Sequence, residues 1–120
     1  MTERHFEVQP IALQSAAGAD GNGIALSYES LATVSAQISG TLTSIIVYFE
    51  GTVDGTNWKA ILGFDRATGI KASQATAAGI WAFNVSGLHS FRARLDHTTG
   101  SVTVTAKGTS APITTLVSAS

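Results

Sequence analysis

The chain has 120 residues, of which 44 % are hydrophobic and 12 % are charged, and its formal net charge is −1. This hydrophobic share excludes an intrinsically disordered protein, and the length fits a single domain. The absence of cysteine excludes a disulfide framework and a thiolate zinc site. The seven basic residues are scattered along the sequence, so no nucleic-acid partner is predicted, because such a partner requires a clustered basic face.

Charged residues are scarce in this chain, and threonine, serine, alanine and glycine take their place. A neutral, hydroxyl-rich surface suits a protein whose faces are covered by neighbouring molecules, or one that is exposed to harsh surroundings. No apolar run approaches the roughly 18 residues of a membrane-spanning helix, and the first five residues lack the basic and then apolar order of a secretory signal. These features predict a soluble protein without a membrane partner, which stays where it is made or is built into an assembly there.

The N-terminal stretch is predicted to be an edge strand or an extended arm. Apolar and polar residues alternate there, with Phe6 and Val8 on one face, and Pro10 shifts the phase of the alternation. Proline has no N–H group to donate to a sheet, so it is largely confined to edge strands. We expect Phe6, Val8 and Pro10 to contact a partner, because an exposed edge strand is suited to β-augmentation.

The middle of the chain alternates strand signals with turn signals. A flexible loop is predicted at residues 17–23 and a turn at Ser39-Gly40. Apolar side chains on both faces of residues 44–50 favour a central strand that is covered on both sides. Asp54-Gly55-Thr56-Asn57 is the clearest turn signal, and the run after it is predicted to return as a partner strand. Residues 24–28 and 31–38 are predicted to form a strand pair or one bent strand, and further strands are predicted at residues 42–53, 58–64 and 70–72.

The last third of the chain has the most regular alternation, and its spacing is typical of an antiparallel sandwich or barrel. A slip of one residue in register would turn a whole face outward, so the apolar residues that share a phase predict the inward face. These residues are Trp81, Phe83 and Val85, then Phe91, Ala93 and Leu95, then Val102, Val104 and Ala106.

These patterns predict one all-β domain and divide the chain into three parts. Residues 1–15 form the N-terminal arm or edge strand, residues 16–110 form the β-sandwich, and residues 111–120 form a C-terminal tail or a further edge strand. No internal repeat and no second domain are predicted.

No catalytic residue, metal site or cofactor is predicted. The histidines at positions 5, 89 and 97 lack the spacing of a preformed metal face and are interpreted as solvated. The sequence leaves open a glycosidase-like pairing of Glu50 with Asp96, but an acid just before a turn, as Glu50 is, is ordinary. No Gly-x-Ser-x-Gly motif occurs, and the glycines at 18, 21 and 23 precede no helical pattern, so neither a nucleophilic serine nor a phosphate-binding loop is predicted.

Four further residues are candidates for contact with a partner or a ligand. Arg92 and Arg94 lie on the outward face of their strand, where they are either solvated or paired with acids of a neighbouring subunit. Trp58 and Tyr48 are candidates for a carbohydrate-stacking platform, for which packing in the core or at its rim is the alternative.

Several segments resemble small β-sandwich proteins of tailed-bacteriophage virions. In Phe49-Glu50-Gly51-Thr52-Val53-Asp54-Gly55-Thr56-Asn57-Trp58, an apolar strand ends in Glu-Gly-Thr, and x-Asp-Gly-x-x-Trp follows. Gly79-Ile80-Trp81-Ala82-Phe83-Asn84-Val85-Ser86-Gly87-Leu88 has the pattern Gly-x-aromatic-x-x-x-Val-x-Gly-Leu. Phe91-Arg92-Ala93-Arg94-Leu95 and Thr99-Gly100-Ser101-Val102-Thr103-Val104 complete a resemblance that covers roughly residues 40 to 108.

The resemblance implies an antiparallel β-sandwich of jelly-roll type on the outside of a virion. It implies a non-enzymatic structural protein that is made in the host cytoplasm and located in the virion. A capsid decoration protein that binds and stabilises the outer shell is the favoured role, with the major capsid protein or another virion protein as partner. A homo-oligomer is expected, and a trimer would suit threefold sites of a lattice. The alternative is a carbohydrate-binding module of a phage tail or receptor-binding apparatus, and a small hydrolase is a third class.

Overall fold

The computed structural model describes residues 10–17, 21–27, 31–42, 44–96 and 100–110. Within these ranges the chain forms short antiparallel strands joined by turns, and no helix in them is long and apolar enough to cross a membrane. The strands are β1 (Ile11–Ala17), β2 (Thr33–Leu42), β3 (Ile46–Thr52), β4 (Lys59–Ala60), β5 (Gly63–Asp65), β6 (Lys71–Ala72), β7 (Gln74–Ala75), β8 (Gly79–Asn84), β9 (Ser90–Asp96) and β10 (Gly100–Thr109).

The strands form two antiparallel sheets that enclose one apolar core. The larger sheet has the strand order β1-β10-β2-β8-β5-β6. In the smaller sheet β3 is central, because β9 pairs with one edge of β3 while β4 and β7 pair with different ends of its other edge. The predicted all-β antiparallel sandwich is therefore confirmed.

The core is centred on aromatic rings that join the two sheets. Phe49 from the smaller sheet lies 4.6 Å from Phe83 of the larger sheet, measured between ring centroids, and Phe83 lies 4.7 Å from Phe91. Such ring pairs add about 0.5–1.5 kcal/mol each beyond the buried apolar area. The inward residues predicted for the last third of the chain are all buried: Trp81, Phe83, Val85, Phe91, Ala93, Leu95, Val102, Val104 and Ala106.

The turn predicted at Ser39-Gly40 is wrong, because β2 continues through both residues to Leu42. β2 pairs with β10 along its whole length, and Gly40 lies opposite Val102. Gly40 has a φ of 116°, and a Cβ there would clash with the carbonyl of Ser101. Glycine at this position therefore allows two backbones to approach closely within a strand and does not reverse the chain.

The partner strand predicted at residues 58–64 is divided between the two sheets. Lys59–Ala60 pairs with β3 after the turn, but Gly63–Asp65 joins the larger sheet beside β8. A Cβ on Gly63 would overlap the ring of Phe83. Because glycine has no side chain, this core ring fits against the backbone where the chain passes from the smaller sheet to the larger one.

The strand predicted at residues 24–28 does not form in its described part, residues 24–27. Gly21 and Leu26 instead make isolated bridges with the outer edge of β9. Between these bridges, the carbonyl of Ala93 accepts a hydrogen bond of 2.8 Å from the buried side-chain amide of Gln14. A side chain from β1 thus satisfies a backbone acceptor that a regular strand would otherwise satisfy.

Phe6, Val8 and His97 lie outside the described residues, as does the C-terminal segment 111–120. Pro10 directly precedes β1, which lies at one edge of the larger sheet with β10 as its neighbour. The division of the chain at residues 15 and 110 stays a prediction.

Candidate functional site

The candidate site lies on the outward face of the smaller sheet, where β3 and β9 pair. Side chains alternate between the two faces of a strand. Val47 and Phe49 are buried, so Tyr48, which lies between them, and Glu50, which follows Phe49, point outward. In the observed register Tyr48 lies opposite Arg94, and Glu50 lies opposite Arg92. Cross-strand neighbours on one face are close enough for their side chains to interact.

Glu50 binds both arginines. Its Oε1 accepts a hydrogen bond from Nε of Arg92 at 2.8 Å, and its Oε2 accepts one from Nε of Arg94 at 3.1 Å. The side chains of Glu50, Arg92 and Arg94 are 13 %, 16 % and 34 % exposed, so solvent screens the pair with Arg94 more than the pair with Arg92. Two guanidinium charges and one carboxylate leave one net positive charge on these three residues.

Each guanidinium group also lies over an aromatic ring. Cζ of Arg92 is 4.1 Å from the ring centroid of Trp58, and Cζ of Arg94 is 4.4 Å from that of Tyr48. A cation over an aromatic face contributes about 0.5–1 kcal/mol at exposed sites and about 2 kcal/mol when it is desolvated. The five residues Tyr48, Glu50, Trp58, Arg92 and Arg94 are called the arginine–aromatic cluster below.

The outer ends of both guanidinium groups have no hydrogen-bond partner within the described part of the chain. A guanidinium group has five N–H donors, and here only the one on Nε is bound to Glu50. Within the described residues, the Nη donors of Arg92 and Arg94 are therefore left without an acceptor.

The turn after β3 positions Trp58. The carboxylate of Asp54 accepts hydrogen bonds from the backbone N–H groups of Asn57 and Thr56, each at 2.8 Å, and from the side chains of Asn57 at 2.6 Å and Thr52 at 2.9 Å. These bonds, with the backbone N–H of Asn57 contributing most, hold the pKa of Asp54 well below its usual range. The turn that the sequence predicted is therefore present, and it returns the chain beside β3 with Trp58 next to Arg92.

His89 links the neighbouring loop to this turn. Its Nδ1 lies 2.7 Å from the hydroxyl of the buried Ser90, which in turn lies 2.7 Å from the hydroxyl of Ser27. A Cβ added to Gly55 in the turn would lie 3.2 Å from Cε1 of the ring. His89 is exposed, as the sequence predicted, and its contacts support the turn that places Trp58.

The pairing of Glu50 with Asp96 is not present. Both carboxylate oxygens of Glu50 are bound to arginines, and the residue opposite Asp96 in β3 is Ile46. A glycosidase-like site requires two carboxyl groups that face each other across a substrate. Among the described residues, no group of three or more His, Asp or Glu side chains is placed to hold a metal ion.

The structure brings four of the candidate contact residues into one cluster. The sequence indicated Arg92 and Arg94 as outward residues, and Trp58 and Tyr48 as candidates either for a stacking platform or for packing in the core or at its rim. It did not indicate that they meet at Glu50. The alternation within residues 48–50 and within residues 92–94 indicates which side chains point outward. That these two segments are neighbours can be recognised only from the register between β3 and β9. Use of the two rings for carbohydrate stacking stays a prediction, and a guanidinium group covers one face of each ring.

Two solved structures share the fold. The SPBc2 prophage-derived protein YomS is 19 % identical and superposes with a TM-score of 0.84 over 91 % of this chain and 97 % of that chain. The PBSX exported protein XepA is 21 % identical, with a TM-score of 0.85 over 91 % of this chain and 39 % of that chain, so this chain spans well under half of that protein. No curated protein sequence matches this chain significantly.

The sequence profile of the XepA family matches residues 7–110, which include all ten described strands. This match and the two solved structures, of which YomS is prophage-derived, confirm the resemblance to small tailed-phage proteins that the sequence indicated. The chain belongs to the XepA family.

Proposed function

We propose that the chain is a non-enzymatic structural protein of a phage particle and that it docks on the particle through the arginine–aromatic cluster. The observation that carries this proposal is the assembly of Trp58, Tyr48 and two arginines on one outward sheet face. Trp, Tyr and Arg are the residues that most often dominate the binding free energy of protein interfaces. Membership of the XepA family and the prophage origin of the structural relative YomS support a phage particle as the assembly.

The cluster is also ordered before any partner binds. Fixing a side chain with many rotamers at an interface costs about 0.5–1.5 kcal/mol. In the free chain Glu50 already fixes Nε of Arg92 and Arg94, and each guanidinium group lies over a ring. Binding therefore requires little further ordering of these two side chains.

Within this role the chain acts as a capsid decoration protein. Its partner is the major capsid protein or another virion protein, and its location is the virion. A protein that binds the assembled shell better than free subunits stabilises the shell by mass action. A homo-oligomer, such as a trimer on a threefold site, would repeat the cluster with the symmetry of the lattice.

The connectivity of the strands supports a jelly roll. When residues 21–27 are counted as a strand beside β9, the sheets contain β1-β10-β2-β8 and (21–27)-β9-β3-β7 as neighbouring strands. When β4, β5 and β6 are set aside, consecutive strands alternate between the sheets except for β3 and β7, which pair with each other in the smaller sheet. Two sheets built from Greek keys in this way are the architecture of many viral capsid domains.

Co-sedimentation tests the proposed function. Purified protein is mixed with undecorated shells of its source phage and centrifuged, and we expect it to pellet with the shells at a fixed saturating ratio. Trp58→Ala should reduce the bound fraction, while Arg66→Ala, which removes an exposed arginine in the turn after β5, should leave it unchanged. A protein that pellets with no particle of its source would contradict the proposal.

A carbohydrate-binding module of a tail or receptor-binding apparatus is the second candidate. The observation that favours it is that Trp58 and Tyr48 lie on the same outward face, each half-buried. A glycan array distinguishes the two candidates, because this function predicts hits that Trp58→Ala abolishes. An array without hits would exclude it.

A further inference from the structure

We propose that the arginine–aromatic cluster is a receptor for a carboxylate side chain, an Asp or a Glu, of the partner protein. This inference rests on the proposed function, because it identifies the chemical group that meets the docking surface. The observation behind it is that Glu50 uses only the Nε–H donors of Arg92 and Arg94 and leaves both Nη ends without a described partner.

The free donors set a requirement on whatever covers this face. Arginine has donors and no acceptor, so each remaining N–H group requires an acceptor from beyond the described residues. A donor that is buried without an acceptor costs about 1–3 kcal/mol, and more when the group is charged. A partner that excludes water from Arg92 and Arg94 must therefore bring acceptors to their Nη atoms.

A carboxylate is the acceptor that fits these donors best. The two Nη atoms of a guanidinium group form a planar fork that matches the two oxygens of a carboxylate, and the resulting bidentate pair is about twice as strong as neutral hydrogen bonds. Bound Glu50 leaves one positive charge on the two arginines, and one additional carboxylate neutralises it. The rings of Trp58 and Tyr48 then form apolar walls beside the pair and reduce its exposure to water.

Asp96 is a further acid of the described residues on this sheet face. Asp96 lies on the same outward face two residues after Arg94, opposite Ile46 at the end of β3, and has interactions of its own. Asp96 also places a negative charge at one end of the cluster, so the acid from the partner is expected nearer to Arg92 than to Asp96.

Anions other than protein carboxylates fit the site less well. Nucleic acid phosphates require a broad basic face, whereas Glu50 and Asp96 divide this one. An acidic sugar would use the aromatic faces for stacking, and a guanidinium group already covers one face of each ring. A carboxylate on a protein needs only the Nη ends, which no described residue binds.

The first test replaces the planar guanidinium groups of Arg92 and Arg94 and keeps their positive charges. In the double variant Arg92→Lys/Arg94→Lys both positive charges remain, but bidentate pairing is lost. We expect its affinity for the shells to fall by about tenfold or more. Arg66→Lys is the matched control and should bind as the unmodified chain does, and thermal unfolding of each variant verifies that the sandwich is intact.

A second measurement separates this inference from the proposed function. Guanidinium ¹⁵N–¹H spectra of the unmodified chain are recorded while acetyl-hexaglutamate amide is added, with the hexaglutamine peptide, inorganic phosphate and 3′-sialyllactose as the other probes. Resonances of Arg92 and Arg94 should shift with the glutamate peptide and less with the others.

The outcomes are distinct for the two proposals. If the double lysine variant binds shells as tightly as the unmodified chain, the carboxylate receptor is wrong while the docking role stands. If no particle is bound, the docking role fails, and the peptide titration alone decides about the receptor. Larger shifts with phosphate or sialyllactose than with the glutamate peptide would overturn the assignment to a protein carboxylate.

Discussion

Glu50 is the residue on which the geometry of the candidate site depends most. It is 13 % exposed and lies between two guanidinium groups, each of which it binds through Nε. Arg92 and Arg94 are two residues apart on the same face of β9. Without the Glu50 carboxylate, no negative charge would lie between their two positive charges. The fixed orientation of both arginines therefore depends on one side chain from the neighbouring strand.

We expect Glu50→Gln to lower the free energy of unfolding by about 1–2 kcal/mol, since it weakens two charge-assisted bonds that are partly screened by solvent. Urea denaturation measures this change. In a double-mutant cycle with Arg92→Gln, the effect of the pair should be smaller than the sum of the single effects by at least about 0.5 kcal/mol. Strict additivity would contradict the coupling of Glu50 to Arg92.

Asp54 predicts a pH dependence of stability on the acid side. Its pKa in the folded chain is depressed far below the usual value of 3.8, because backbone and side-chain N–H and O–H groups bind the carboxylate. The unfolded chain therefore takes up a proton first as the pH falls, and the stabilisation from Asp54 is present above about pH 4 and lost progressively below it. The urea midpoint, measured from pH 6 to pH 2, should fall with decreasing pH, and this fall should be smaller in Asp54→Asn than in the unmodified chain. An unchanged pH profile would contradict the role of the turn carboxylate.

At this scale, sequence reasoning could predict only what depends on near neighbours. The Asp54 turn was predictable because its bonds span three residues, and the outward direction of Arg92 and Arg94 followed from alternation. The bonds from Glu50 to the arginines span 42 and 44 positions. They depend on the register between β3 and β9, which no local pattern encodes.

Among the strands, β2 contains a glycine, Gly40, at which the sequence predicted a turn that does not form. Gly40 has the positive φ that is typical of a turn, but it lies inside a strand that pairs with β10 over ten positions. The two-residue strands β4, β6 and β7 are too short to show any periodicity, and their pairing with longer strands defines them. Long alternating runs such as β9 and β10 were predicted correctly because every second residue is buried.

The close approach at Gly40 can be tested against a second glycine of the same sheet. Gly40→Ala should lower the free energy of unfolding by about 1–3 kcal/mol, because alanine would adopt a strained φ and its Cβ would meet the carbonyl of Ser101. Gly79→Ala is the matched control, since nothing lies within 4 Å of a Cβ at Gly79 and its φ is not positive. Equal urea midpoints for the two variants would contradict the proposed packing.

At the scale of the whole molecule, the two outward sheet faces differ in chemistry. On the larger sheet, cross-strand pairs such as Ser39 with Thr103 and Thr41 with Ser101 present hydroxyl groups. On the smaller sheet, the arginine–aromatic cluster presents fixed charges and rings. Composition predicted a hydroxyl-rich surface and the motif order predicted the family, but neither indicated which face carries the contact residues.

We propose that the chain docks on a phage particle through the smaller sheet. Hydroxyl-radical footprinting of the free and the shell-bound protein tests it most directly, because oxidation of half-buried aromatic side chains reports which face becomes covered. Trp58 and Tyr48 should be strongly protected in the bound protein, while Phe64, which is half-buried opposite Ala82 on the outward face of the larger sheet, should be oxidised equally in both states. Protection of Phe64 with unchanged oxidation of Trp58 and Tyr48 would show that the smaller sheet is not the docking face.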